Sequence, residues 1–568
     1  MFCIISGIFL KGRRLVVVKL TKMAIGIGSA ALVAAGLAGC GSSSPSQQAS
    51  GTAAPLIIAG DFANPTMTEN FNPLSINHLY GTNFIYEPLY VVNLMNGHQT
   101  PWLATSYKWA NATTLQFTIR SGVKWNNGRP FSAKDVVYTF NLIRKYPALD
   151  TNGVWNSLAS VTSSGNVVTF RFSHVNIPEW YYIATTPIVS EYQFSRVPNP
   201  VTFTDPHPVG TGPFMVSSFT GEQYDLKDNP YYWQKDKIKV PEMEFRGVTG
   251  NTSVDEWLVS DQVDWAQSFI PNMQKLFIDK NPATNHSFQP PSSPWTLFMN
   301  LTKWPFNQLD FRKALAYDIN RKEIVSKAEY NMMTPDHQSL LPPTMNNWLN
   351  PQLFKRYDYH YDPAKAAKEL AKMGLKRNSH GQLLAPNGQP ITLTLEVPAG
   401  WTDIIQDGKI MVDSFKKLGI TVDEITPSPT TVTDNVQTGS YEMALQAAIG
   451  VPEPYFVYYE ELDGAQTAPI GHVAPSNYER WNNPTTNKLL SEFARTTNPQ
   501  LQKKIMYQLQ KIVLTQVPVI PYDYGVFWFQ NTTTHYTGWP TAKNPYAPGQ
   551  VYAYPDNLLV VTHLRPVK

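Results

Sequence analysis

The chain has 568 residues, 46 of them basic and 43 acidic, giving a formal charge of +3, and only 2 cysteines. The positive excess lies in the first 39 residues, which hold Lys11, Arg13, Arg14, Lys19 and Lys22 and no acid. The remainder is near neutral and lacks the basic stripe that nucleic acid requires. With Cys3 and Cys40 as its only thiols, the body has no disulfide and no thiolate metal site, so burial must stabilise it, in two or three lobes at this length.

The N-terminal basic residues precede an apolar stretch, Met23 to Ala38, too short to span a bilayer comfortably. It closes on Leu37-Ala38-Gly39-Cys40, the four-residue pattern of a bacterial lipobox, in which the cysteine thiol takes a diacylglycerol before cleavage. Gly41 to Ser46 then reads as a flexible tether. The expectation is a lipoprotein signal over 1–39, a lipidated Cys40, a tether over 40–54, and an exported protein held to the cell membrane or in the periplasm. Phe2 to Leu10 makes the n-region unusually long, which suggests a translation start near Val17 or Val18.

From Leu56 onward, short strands, helices and Pro/Gly punctuation alternate without an internal repeat. Leu115 to Arg120 alternates at period two, as a half-buried strand does, and Val167 to Phe172 is another. Between them Ser132 caps a helix, with Asp135 three residues on, and Val136, Val137, Phe140 and Ile143 share one face. Asn320 with Glu323 starts a further helix. Asp362-Pro363 starts another, with Ala366, Leu370 and Met373 inward and Gly374 as its stop. Strand 391–397, helix 404–418, Gly419 and strand 420–422 make a βαβ unit and imply a partly parallel sheet. A late helix over 500–516 ends at Pro518 to Pro521, an abrupt exit suited to a hinge strand. The fold class is α/β with more than one lobe.

Enzyme machinery is sparse. The sequence holds no His-Glu-x-x-His, no G-x-S-x-G elbow and no Walker or dinucleotide fingerprint. Pro213, lacking an N–H, spoils Gly210-Thr211-Gly212 as a phosphate cradle, and Ser414 and Lys417 match S-x-x-K without a K-T-G. Aromatic residues make up 12% of the chain, with 15 Trp and 29 Tyr, a supply that suits an enclosed cleft whose rings sandwich a ligand.

Four segments together resemble one family, the family-5 extracellular solute-binding proteins of ABC importers. The first runs from Pro101-Trp102-Leu103-Ala104 through Phe117 to Trp125 and on from Asn127 to Val137. The second is Val209 to Phe214 with Asn229-Pro230-Tyr231-Tyr232-Trp233. The third is Asn300, Pro305-Phe306, Phe311 to Leu315 and Ile319-Asn320-Arg321. The fourth is Tyr361 to Ala366, closing with Gly374-Leu375.

The resemblance implies a two-lobed periplasmic-binding-protein-like fold of type II, with an extra subdomain inserted in the first lobe. It assigns 53–97, 208–297 and 520–568 to lobe I, 98–207 to the inserted subdomain and 298–519 to lobe II. Ligand would sit between closing lobes and pass to a permease and its ATPases, the binder itself being a monomer with no enzymatic step, no cofactor and no metal. Oligopeptides are the first expectation. Many peptide-binding members carry an Asp-Tyr-x-[Asp/Glu]-Pro segment whose aspartate pairs with the peptide amino terminus, but here Gly450 stands at that place in Gly450 to Tyr455. Its charge-assisted anchor, worth about 1.5–3 kcal/mol, is therefore missing. Oligosaccharides such as cello- or other gluco-oligosaccharides are the alternative, with Tyr455, Phe456, Tyr458, Tyr459 and Trp401 as stacking rings or, for the Tyr455 to Tyr459 cluster, as a buried face. Nickel or haem would want convergent histidines, and neighbouring pairs are lacking. The expected ligand-binding residues are Phe62, Asn64, Asn300, Trp401, Gly450, Tyr455 and Trp481. An exported hydrolase with a carboxylate pair, and a chemoreceptor accessory protein of the same fold, are the readings from other classes.

Overall fold

Local side-chain chemistry sets the helix starts. In the computed structural model, which describes residues 53–60, 66–448 and 452–567, Ser132 caps the helix Ala133–Lys145 and its own N–H donates to Asp135 Oδ2 at 2.9 Å. Asn320 caps Arg321–Lys327, and Asp362 caps Pro363–Lys372 with a 2.9 Å bond from the Lys365 N–H. Each carboxylate or amide oxygen satisfies a backbone N–H that the first helical turn leaves unpaired. We expect Ser132→Ala to lower stability by about 1 kcal/mol, seen as a lower denaturant midpoint at unchanged slope.

Two large sheets carry the two lobes. The first has seven strands in the order Asn285–Ser287, Gln530–Thr532, Trp265–Ala266, Leu56–Ala59, Glu242–Arg246, Gln223–Asp228 and Phe214–Phe219. Leu56–Ala59 runs parallel to both of its neighbours. The second has six strands, Thr334–Pro335, Ile520–Val526, Pro291–Met299, Met443–Ala447, Thr392–Glu396 and Thr421–Ile425, of which the last three are mutually parallel. Helices Thr402–Lys417 and Pro429–Thr438 make the crossovers between those three, so the expected βαβ unit is present. A third sheet, antiparallel, orders Ala104–Asn111, Thr114–Ile119, Val167–Phe172 and Leu158–Ser164. Phe140 of the helix Ala133–Lys145 meets Phe170 of this sheet edge-on at 4.8 Å.

The chain passes between the large sheets along two neighbouring routes, 287–291 and 526–530. Pro291–Met299 and Ile520–Val526 are antiparallel partners in the second sheet, and Asn285–Ser287 and Gln530–Thr532 are antiparallel partners in the first. Hydrogen bonds continue across the gap, from Phe288 N–H to Phe529 O at 3.0 Å and from Phe527 N–H to Pro290 O at 2.8 Å. The exit expected at Pro518 to Pro521 is therefore the root of a crossing strand. Arg312 holds that root: Nη1 donates to Phe306 O at 2.7 Å and Nε to Val517 O at 2.9 Å, while burial lowers its pKa to about 10. Arg321 Nε donates to Pro521 O at 3.0 Å.

The glycines of Gly210-Thr211-Gly212 serve backbone packing. A Cβ on Gly210 would lie 1.9 Å from the Ile85 carbonyl oxygen, and Gly212 N–H donates to that same oxygen at 2.8 Å. Asn229 Nδ2 donates to Gly212 O at 2.8 Å, which ties the two halves of the second resembling segment together.

Candidate ligand-binding cleft

A cavity of about 180 Å³, partly open to the surface, is lined by residues of both lobes. One wall comes from the first lobe. Asn251 opens the helix Asn251–Val259, Gln267, Ser268 and Phe269 follow the strand Trp265–Ala266, and Gln550 and Tyr552 come from the C-terminal segment. The other wall comes from the second lobe, with Trp401 at the N-terminus of helix Thr402–Lys417, Asp403 in its first turn, and Trp295 on the crossing strand. Trp528, just past the other crossing strand, and Tyr80 complete it.

Among the described residues six aromatic rings line this space, and they brace one another in pairs. Trp295 and Trp401 stand edge to face at 5.8 Å, Phe269 and Trp528 at 5.7 Å, and Tyr80 lies 5.3 Å from Tyr552. Such pairs add about 0.5–1.5 kcal/mol beyond the area they bury. Among the described residues two polar groups on this wall have no partner: the Trp401 indole N–H, and both the amide nitrogen and the oxygen of Gln267, a residue only 5% exposed. A buried amide left unpaired costs about 1–3 kcal/mol. Its presence on a cavity wall favours a ligand that supplies both a donor and an acceptor.

The lobes touch beside the cavity, glycine against glycine. Asn251 N–H donates to Gly400 O at 3.2 Å, and Asn251 Nδ2 donates to Asp403 Oδ1 at 3.1 Å and to Thr402 Oγ1 at 3.3 Å. A Cβ on Gly250 would fall 2.7 Å from Gly400 O. Burial raises the Asp403 carboxyl to a pKa of about 6, against the bonds it accepts from the Ile404 and Asp403 backbones and from Asn251. Asp255, which accepts from Ser268 Oγ at 2.9 Å, is raised by burial to about 7, with Asp403 and Glu256 adding repulsion.

Of the expected ligand residues, Trp401 is brought to the cavity. Cys40, Phe62, Asn64 and Gly450 lie outside the described residues. Asn300 is not a cavity residue. It is fully buried, Nδ2 donates to Gly439 O and Tyr441 O at 2.9 and 3.2 Å, and Oδ1 accepts from Thr302. Tyr455 belongs to the core instead: on helix Pro454–Leu462 it stacks on Tyr459 at 5.4 Å and on Phe493 at 5.2 Å. Phe456 packs on Tyr182 at 4.8 Å, and Tyr458 donates to Ser339 O, so the buried face is the correct alternative for that aromatic cluster. Trp481 is core too, its indole N–H donating to Thr486 Oγ1 at 3.2 Å. Ser414 is held by the Asp318 carbonyl at 2.9 Å inside a helix face, which accounts for it without Lys417.

Trp295, Phe269, Trp528, Tyr80, Tyr552 and Gln267 were missed. They come from segments far apart in sequence, and none carries a local pattern. The position of Trp295, midway along a strand leading out of a predicted lobe boundary, was the one available signal.

A two-lobed α/β fold with an aromatic cavity lined from both lobes fits a solute-binding protein. Residues 98–468 match the family described as bacterial extracellular solute-binding proteins, family 5, and the chain belongs to that family. It is 25% identical over 404 residues to a nickel-binding periplasmic protein of Escherichia coli, covering 66% of this chain and 72% of that one. It is 23% identical over 454 residues to the oligopeptide-binding protein OppA of Bacillus subtilis, covering 74% and 78%. The crystal structure of a periplasmic oligopeptide-binding protein of Thermotoga maritima with bound mannohexaose is similar over 90% of this chain and 98% of that one, with a TM-score of 0.84 and 26% identity.

Proposed function

We propose that this chain is the ligand-capturing subunit of an ABC importer, held outside the cytoplasmic membrane by a lipid on Cys40. It works as a monomer, by binding and release rather than by bond chemistry. The cavity with a wall from each lobe carries this reading, because a ligand bridging both walls would stabilise the closed form that a permease can recognise. The working parts are lobe I over 53–97, 208–297 and 520–568, an inserted subdomain over 98–207 and lobe II over 298–519.

Oligopeptides are the proposed ligands. The unpaired Gln267 amide and the Trp401 N–H suit a peptide backbone, and the oligopeptide-binding relatives support the class. Asp403, at the cavity wall, would take the place of the anchor missing at Gly450, since a ligand ammonium beside it restores the charge that burial disfavours. The six rings favour a second reading, oligosaccharides stacked on aromatic faces, and the mannohexaose-bound relative supports it.

The test is thermal melting of the exported chain against panels of oligopeptides and of α- and β-linked oligosaccharides. Ligand at 100 times its dissociation constant adds about 2.7 kcal/mol and raises the melting temperature. A response to peptides alone, lost in Asp403→Asn, supports the first reading. A response to sugars alone, unchanged in Asp403→Asn, replaces it with the second.

A further inference from the structure

Behind the Asp403 side of the cavity lies a cluster that the capture of an oligomer does not use. Glu329 follows the helix Arg321–Lys327, Asp407 is in the second turn of the helix Thr402–Lys417, and Asp523 is on the crossing strand Ile520–Val526. Each offers a carboxylate oxygen within 4.8 Å of those of the other two, and all three side chains are fully buried. Among the described residues none of them joins an ion pair, and none of their six carboxylate oxygens has a hydrogen-bond partner of proper geometry. The buried Tyr522 hydroxyl and the Glu329 carboxyl both lie against Asp407 closely enough to shift its pKa, though short of good hydrogen-bond geometry.

Three buried carboxyls without a counter-charge repel one another and lose bulk hydration. Burial first, and then the neighbouring acids, push all three pKa values up. A cation at their centre would reverse both penalties. The donors are all oxygen, with no imidazole and no thiolate, which selects hard divalent ions over nickel or zinc. Three carboxylates that can each bind through two oxygens, with a phenol beside them, suit the six to eight oxygens of Ca2+ better than the stricter octahedron of Mg2+.

We propose that Glu329, Asp407 and Asp523, with Tyr522 beside them, form a binding site for a divalent cation of the Ca2+ type. The site joins two lobe II segments to a crossing strand. It is linked to the ligand cavity through Asp403, whose charge bears on all three acids, and through Trp295, which pairs in register with Asp523. The cation would therefore fix the root of the crossing strand and the Trp295 and Trp401 wall in one arrangement. This goes beyond the choice between peptide and sugar and does not depend on it.

The test uses the full chain, purified in detergent and stripped with a chelator, titrated calorimetrically with CaCl2, MnCl2 and MgCl2 and melted with and without each. The expected result is one equivalent of Ca2+ bound, Mg2+ at least tenfold weaker, and a melting temperature raised by several degrees. Asp407→Asn should weaken Ca2+ binding at least a hundredfold. Its metal-free melting temperature should equal or exceed that of the unaltered chain, because a repelling charge is gone, so loss of binding is not loss of fold. Glu329→Gln gives the same pair of readings at a second ligand. No binding of any of the three ions, with both variants simply more stable, would overturn the proposal and leave a cluster of protonated acids. Ca2+ binding undiminished in both variants would place the ion elsewhere and overturn it equally. Ligand binding measured in chelator stays a separate readout, so failure here leaves the solute-binding reading standing.

Discussion

Gly250→Ala is expected to weaken ligand binding by about fivefold to about a hundredfold while leaving each lobe folded. Gly250 has φ 160° and ψ −175°, an extended backbone that alanine adopts without strain. The added methyl would nevertheless sit 2.7 Å from Gly400 O and 3.0 Å from its Cα, both backbone atoms that cannot swing aside. Relieving the clash means parting the lobes at Asn251 and Gly400, and overpacking of this kind costs about 1–3 kcal/mol. In an equilibrium between open and closed forms, that cost falls on the closed form alone, so affinity drops by the same free energy, with about 1.4 kcal/mol per factor of ten. Calorimetry gives the affinity, and small-angle scattering gives a larger radius of gyration for the ligand-loaded variant. An unchanged dissociation constant would mean that the Gly250 and Gly400 contact is no part of the ligand-bound form. Gly400→Ala is a poorer probe, because Gly400 sits at φ +81° and an alanine there adds backbone strain to the clash.

Trp401→Ala is expected to raise the dissociation constant about thirtyfold or more, the loss of about 2 kcal/mol that marks a central aromatic contact. Trp401 braces Trp295 on one side and faces the cavity with an N–H that no described residue accepts. Trp401→Phe separates the two contributions. It keeps a ring against Trp295 and removes the N–H, so binding should fall by about 1 kcal/mol if that donor meets the ligand. Equal affinities for Trp401→Phe and the unaltered chain would leave Trp401 a role in stacking alone. Affinity retained in Trp401→Ala would remove this cavity from the binding site altogether.

Much of the scaffold was legible because its signals are local. Ser132 with Asp135, Asn320, and Asp362 before Pro363 place helix starts through bonds of a few residues' reach, and the order of strand, helix, glycine and strand after 391 implies a parallel pair. Trp401 was legible for the same reason, since the end of a strand in a βα unit points toward the ligand crevice. The rest of the cavity is assembled from segments hundreds of residues apart, and the phase of each depends on sheet order rather than on sequence pattern.

Asn300 shows the opposite failure. An uncharged polar residue in a family-like segment looks available for a ligand, but its amide is consumed by the Gly439 and Tyr441 carbonyls, and nothing near Asn300 in sequence announces them. Tyr455 and Trp481 misled through type, because aromatic rings serve cores more often than clefts. The acidic cluster was invisible for a simpler reason: Glu329, Asp407 and Asp523 share no spacing, and only the fold makes them neighbours.

The paired crossings between the lobes have a mechanical consequence. Two strands bonded side by side, from Leu297 and Ile520 through Phe288 and Phe529, form a ribbon that cannot slide without breaking its ladder, yet can bend and twist while keeping it. Its register shifts, between Pro291 and Pro294 and between Trp295 and Thr296, mark where that bending is cheapest. Such a ribbon would restrict the closure proposed above to a rotation, bringing the two walls back to the same alignment. On that reading a ligand would be gauged by the angle at which it stops the swing, length and girth together setting one quantity, the degree of closure.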